Sequence, residues 1–146
     1  ADQVTIEGDE EFSVPVATPS GVALLKLIAW TDRTPELRRK DAADLKYLFE
    51  NYELIPSVQD EAYDEANSGI MERYGWDLSL ASIHILGQHV SHIATEGTSQ
   101  LIEALLDGRL KPRTTETLIF EMDQNYIEDD RNGQMFQAFA NGFRET

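Results

Sequence analysis

Lys26, Trp30 and Arg33 are spaced at i, i+4 and i+7, so on a helix they share one face. Asp41 and Asp44 follow one helical turn apart, and Asp41 also lines up with Leu45 and Leu48. A carboxylate on the rim of an apolar face loses solvation and demands a cation or a metal. If the two segments form an antiparallel helical hairpin, Lys26 or Arg33 supplies that cation. Two chemistries fit the pattern. One is an ion pair that clamps two helices together. The other is a lysine that neutralises phosphate charge, with a carboxylate fixing its position or taking a proton.

Other groups are less suggestive. His89 and His92 form an i, i+3 pair, but the HExxH spacing is absent and no nearby acid completes a metal set. Without a metal, His84, His89 and His92 read as solvent-facing or core-edge residues. The runs Asp9, Glu10, Glu11 and Glu128, Asp129, Asp130 lack the pattern of a calcium loop and read as solvated turns. There is no glycine-rich phosphate loop and no GxSxG elbow. No metal-binding residue is assigned in this chain.

The elements that must position the helix pair are mostly helical. Thr18-Pro19 and Thr34-Pro35 are N-cap and first-turn signals, predicting helices to about Asp32 and Tyr52. Leu24, Leu25, Leu27 and Ile28 give the first a wide apolar stripe; Leu45, Leu48, Phe49 and Tyr52 give the second its buried face. Pro56-Ser57 opens a helix containing Val58, Ala62, Tyr63, Ala66 and Ile70. Asp77 caps another through Leu86, where Gly87 is expected to break or kink it. Thr98 is expected to cap a helix ending at Gly108, followed by helices over about 115–126 and 134–143. Asp129 to Gly133 reads as a loop. Before all of these, Val4-Thr5-Ile6 and Phe12-Ser13-Val14 alternate around Gly8-Asp9, predicting a short β-hairpin. The expected fold is mainly α (α+β): a single domain over 1–146, with a hairpin at 1–17 and about six to seven bundled helices.

Charge bounds the partners. The 146 residues carry 27 acids and 12 bases, for a formal net charge of -15. Six of those bases, Lys26, Arg33, Arg38, Arg39, Lys40 and Lys46, lie within 26–46. The global charge disfavours generic binding to duplex nucleic acid, whereas the local basic island suits one compact anion such as a triphosphate. With no cysteine there is no disulfide, thiolate zinc site or cysteine nucleophile. The longest apolar stretch, Val22 to Trp30, is too short for a bilayer, and no membrane partner is expected. No secretory signal is evident, since Asp2 and Glu7 stand where positive charge belongs. A cytoplasmic protein is the expectation.

The segment LLKLIAWTDRTPELRRKDAADLKYLFENYE, residues 24–53, resembles the helical motif of bacterial nucleotidyltransferase-like proteins. These belong to the DNA polymerase beta-like superfamily and include the AbiEii-type abortive-infection toxins. VPVATPSGVA, residues 14–23, resembles the strand and turn leading into that motif, and LASIHILGQHVSHIA, residues 80–94, a later helical stretch. The resemblance implies transfer of a nucleoside monophosphate from a Mg2+-bound nucleoside triphosphate to an acceptor hydroxyl, on RNA or protein. It implies catalytic roles for Lys26, Asp41 and Asp44, and nucleotide contacts from Lys26, Arg33, Arg39 and Lys40.

The chain departs from the family where the metal chemistry resides. Family enzymes place a Gly-Ser turn, an Asp-x-Asp pair and a third carboxylate before this motif, and no Gly-Ser followed by Asp-x-Asp occurs here. The chain therefore reads as the C-terminal helical portion of such an enzyme, inactive alone, with Mg2+ and nucleoside triphosphate belonging to the full-length parent and neither expected to bind this chain by itself. The alternative is a non-catalytic acidic helical module that binds a protein and keeps the motif as an ion-paired scaffold. Truncation would leave the hairpin edge unpaired, so a homodimer through that edge is expected.

Overall fold

The computed structural model describes residues 4–5, 13–14, 18–64, 68–122 and 130–145. The described chain is mainly helical. The backbone of Val4–Thr5 pairs antiparallel with Ser13–Val14, Val4 opposite Val14. The rest of the expected hairpin, including Gly8-Asp9 and the acidic Asp9 to Glu11 run, lies outside the described residues. Two paired residues per strand do not make an independently stable element, and the fold rests on its helices.

Helix α1, Pro19–Asp32, begins as its first residues dictate: the Thr18 hydroxyl accepts from the Gly21 N–H at 3.1 Å, and Pro19 occupies the first turn. It buries Ala23, Leu24, Leu27 and Trp30, while Leu25 and Ile28 are only half-buried. The helix stops at Arg33, whose backbone is extended. The proline two residues on enforces the break, because Pro35 bars Thr34 from the helical region. Helix α2, Pro35–Asn51, then runs back along α1 and tightens into a 3-10 turn at Tyr52–Leu54. Its inward residues Arg38, Asp41, Ala42, Leu45 and Phe49 recur every three to four positions, two of them charged.

Pro56 starts α3, Pro56–Tyr63, with Val58 and Ala62 inward. The expected single helix reaching Ile70 is two, since Asp64 is extended and α4 occupies Ser68–Arg73. Gly75 and Trp76 both take positive φ, turning the chain into α5, Leu78–Ile93, which the Asp77 carboxylate caps by accepting from Leu80 N–H at 3.1 Å.

Helix α5 is the axis of the bundle. Ala81 through Gly87 are all buried, so it is enclosed on every side. Gly87 does not break it, since the helix runs unbroken from Leu78 to Ile93. An added Cβ at Gly87 would lie 2.2 Å from the Phe139 carbonyl oxygen, and one at Gly142 would lie 1.8 Å from the His84 carbonyl oxygen. The two glycines let α5 and α8, Asp130–Arg144, touch backbone to backbone. Beside this crossing Phe139 stacks on Phe49 at 5.5 Å between ring centroids and meets Phe136 at 6.0 Å.

Two further expectations are corrected. The cap of α6, Glu96–Leu106, is Thr95 rather than Thr98, and the Thr95 hydroxyl accepts from Thr98 N–H. The expected loop from Asp129 to Gly133 is helical from Asp130, because Asn132 turns inward and continues the buried face of α8. Helix α7, Thr115–Glu121, is capped by Thr114, whose hydroxyl accepts from Thr117 N–H. Eight helices are seen among the described residues, where six to seven are expected, since the segment from Pro56 divides. No described helix is long and apolar enough to cross a membrane.

Candidate functional site

The two-residue connection between α1 and α2 folds the basic face of the first onto the acidic face of the second. Lys26 Nζ lies 2.8 Å from Asp44 Oδ2 and 3.4 Å from Asp41 Oδ1, and Arg33 approaches the same Asp41 oxygen at 3.5 Å. Asp41 is fully buried; its Oδ2 has no hydrogen-bond partner among the described residues. Lys26 is 26% exposed, and its hydrogen bond to Asp44 raises its pKa above the ordinary value against the opposing effect of burial. It therefore stays charged throughout the neutral range. Two cations face two carboxylates, so the cluster is close to neutral.

The other basic residues divide around α2. At 100° per residue Lys40 stands about 40° from Asp44, beside the cluster. Lys40 is exposed and makes no ion pair among the described residues. Arg39 stands roughly opposite Asp41 and Asp44 on the same helix. Its charge acts on Glu121 instead. The structure thus gathers Lys26, Arg33, Asp41, Asp44 and Lys40, and leaves Arg39 outside.

A second carboxylate cluster has no counterpart in the sequence reading. Glu121, at the end of α7, accepts from Arg38 Nε at 2.8 Å, from Arg38 Nη2 at 2.7 Å and from Trp30 Nε1 at 2.9 Å. The Arg38 guanidinium also lies 5.7 Å from the Trp30 ring centroid. Burial pushes the Glu121 carboxyl up, but hydrogen bonds from Arg38 and Trp30 outweigh it and leave its pKa below the ordinary value. Trp30, which shares a face with Lys26 and Arg33, thus serves the inner cluster. One signal was available: Glu121 sits between Leu118 and Met122 on an apolar face, where an acid requires a buried cation.

The histidines of α5 have separate surroundings. His89 contacts the Tyr52 hydroxyl through Nδ1 and the Glu61 carboxylate through Nε2 at 3.0 Å. Neutral His89 satisfies both with its proton on Nε2. His92 is exposed, so the i, i+3 pair does not converge. No group of three metal-ligating side chains occurs among the described residues.

His84 is buried and accepts from the Tyr74 hydroxyl at 2.7 Å. Burial first, then the nearby positive charge of Arg73, lowers its pKa below 6.5. The unfolded chain therefore takes up a proton near 6.5 that the folded chain refuses until lower pH. Stability falls as pH drops through that window. Melting temperatures at pH 7.5 and 5.5 test this, with His84→Gln expected to flatten the slope. An unchanged slope in that variant would remove His84 as the cause.

No family model, no curated protein and no solved structure matches the chain.

Proposed function

We propose that this chain is the C-terminal helical portion of a nucleotidyltransferase, with the α1–α2 cluster forming its phosphate-facing side. The observation that supports this most is Lys26, a partly exposed cation held between Asp41 and Asp44, with Lys40 beside it making no ion pair among the described residues. Lys26 would neutralise triphosphate charge, Arg33 and Lys40 would add to it, and Asp41 with Asp44 would orient the lysine or the acceptor. Arg39 would contribute only long-range charge from the far side of α2.

The residues present do not fit the Mg2+ ions of such enzymes. Asp41 and Asp44 are both engaged by Lys26, Asp41 is enclosed, and their spacing is not Asp-x-Asp. No catalytic step is therefore assigned to this chain alone. The same reading places the full protein in the cytoplasm, with RNA or protein as acceptor. It makes the strand edge near Val4 and Val14 a surface for pairing with a partner sheet or a second copy.

Calorimetric titration of the full-length parent with Mg-ATP tests the proposal. Lys26→Ala is expected to weaken binding about 10- to 100-fold, the worth of one charge-assisted contact. Its melting temperature should stay within about 4 °C, since the pair with Asp44 is half in water and Arg33 still faces Asp41.

A second reading is favoured by the charge balance of the cluster. With both lysine contacts satisfied and a net charge of -15, the chain also suits an acidic helical module that docks on a basic protein. Large destabilisation by Lys26→Ala with no effect on nucleotide would select that reading.

A further inference from the structure

A polar cavity lies on the side of α2 away from Asp41 and Asp44, between the C-terminal half of that helix and the first turns of α5 and α8. It encloses about 270 Å³ and is lined by Lys46, Glu50 and Glu53 from the α2 side, by Ser79, and by Arg131, Asn132 and Met135 from α8. Lys46 and Glu50 are four residues apart on one helix, the spacing at which a lysine and a glutamate ordinarily pair. They do not pair here. Neither they nor the Glu53 carboxylate make a hydrogen bond or ion pair among the described residues. Arg131 is already engaged by Asp77 at 2.9 Å.

A buried polar group supplies a second, separate indication. Asn132 is 2% exposed, lines the cavity, and its Oδ1 has no donor among the described residues. An unsatisfied buried acceptor costs about 1–3 kcal/mol, so a small shift of Asn132 that let a bound donor reach its enclosed Oδ1 would favour the complex. The lining thus offers one spare ammonium, two spare carboxylates and one spare amide acceptor, with Met135 as an apolar wall.

This set discriminates among ligands. A nucleotide or inorganic phosphate is repelled by the two glutamates, and a polyamine is repelled by Lys46 and Arg131. Drug-sized ligands occupy pockets of about 300–1,000 Å³, so this one suits a smaller metabolite. A ligand must carry a carboxylate for Lys46 and more positive than negative charge for Glu50, Glu53 and Asn132. We propose that the cavity binds a free basic α-amino acid, with its carboxylate on Lys46 and its cationic groups on Glu50 and Glu53. The site faces away from Asp41 and Asp44 and is independent of the nucleotide reading.

Calorimetry of the whole chain at pH 7.5 in near-physiological salt, with L-arginine and L-lysine as probes, tests it. One-to-one binding is expected, with Glu50→Gln/Glu53→Gln and Lys46→Met each weakening it about tenfold or more. L-Glutamate should not bind, and putrescine should bind more weakly than L-lysine. The altered side chains are at the surface, so unchanged melting temperatures verify that the variants fold. No binding up to about 10 mM, a free energy near −3 kcal/mol, would overturn the proposal. Binding indifferent to both variants would do the same, as would putrescine binding as tightly as L-lysine and insensitive to Lys46→Met.

Discussion

Gly142→Ala is expected to lower the melting temperature by roughly 10–20 °C, corresponding to about 3–5 kcal/mol in a chain of this length. The added methyl would sit 1.8 Å from the His84 carbonyl oxygen and 2.7 Å from its carbon. These are backbone atoms of the central helix, so no rotamer change relieves the clash. Helices α5 and α8 must move apart by about 1 Å, which forfeits about half of each dispersion contact across the seam. Phe139 and Phe143, both buried against it, lose packing together. Gly87→Ala repeats the experiment from the other side, meeting the Phe139 carbonyl oxygen at 2.2 Å and the Phe143 nitrogen at 2.8 Å. Gly97→Ala is the control. It lies in α6 with nothing within 4 Å of the added methyl. Removing that glycine should leave stability unchanged or raise it by up to about 1 kcal/mol through the unfolded chain. Thermal unfolding of the three variants decides. A Gly142→Ala protein melting within about 2 °C of the parent would mean that α5 and α8 are not in backbone contact.

The same glycines mark where sequence reading loses its grip. A glycine within a helical pattern costs about 1 kcal/mol relative to alanine, so local rules suggest a break at Gly87. Its actual reason is a carbonyl on a helix more than fifty positions later. Cap chemistry, by contrast, acts within three residues. Thr18-Pro19, Thr34-Pro35, Pro56 and Asp77 therefore announced their helices, and the pairing of Lys26 with Asp41 followed from two helices joined by a two-residue turn. Even cap chemistry is ambiguous where candidates crowd. Thr95 and Thr98 stand one turn apart, each able to cap, and tertiary packing buries Thr98. Asp129 to Gly133 looked like a loop by composition because no local feature shows that Asn132 faces the core. The Lys46, Glu50 and Glu53 cavity was equally silent, since two of its walls come from α5 and α8.

The buried Arg38–Glu121 pair, 83 residues apart in sequence, leads to the second large effect. Glu121→Ala is expected to cost about 3–5 kcal/mol, because it strands a buried guanidinium and the Trp30 N–H without an acceptor. That figure measures an orphaned charge, not the worth of the pair. Arg38→Met/Glu121→Met removes both charges and refills the space with apolar side chains, so it should recover most of the loss. Acid unfolding supplies an independent check with a definite sign. The folded carboxyl has a pKa below the unfolded value of 4.5, so its contribution is present above 4.5 and is lost as pH falls through the lower folded value. Glu121→Gln should remove that component and make the acid limb shallower, whatever it costs at neutral pH. Arg38 sits one turn before Asp41 on α2, so the hydrogen bonds from its Nε and Nη2 to Glu121 also fix how far that helix is rotated. The double variant keeps a packed core but loses that directional constraint, since apolar contacts tolerate rotations that a bidentate guanidinium does not. Nucleotide titration of the double variant in the full-length parent then tells the two functions apart. Recovered stability with weakened Mg-ATP binding would show that Glu121 orients the Lys26 cluster. Recovery of both would leave the inner ion pair as one of several ways to hold α7 against the hairpin.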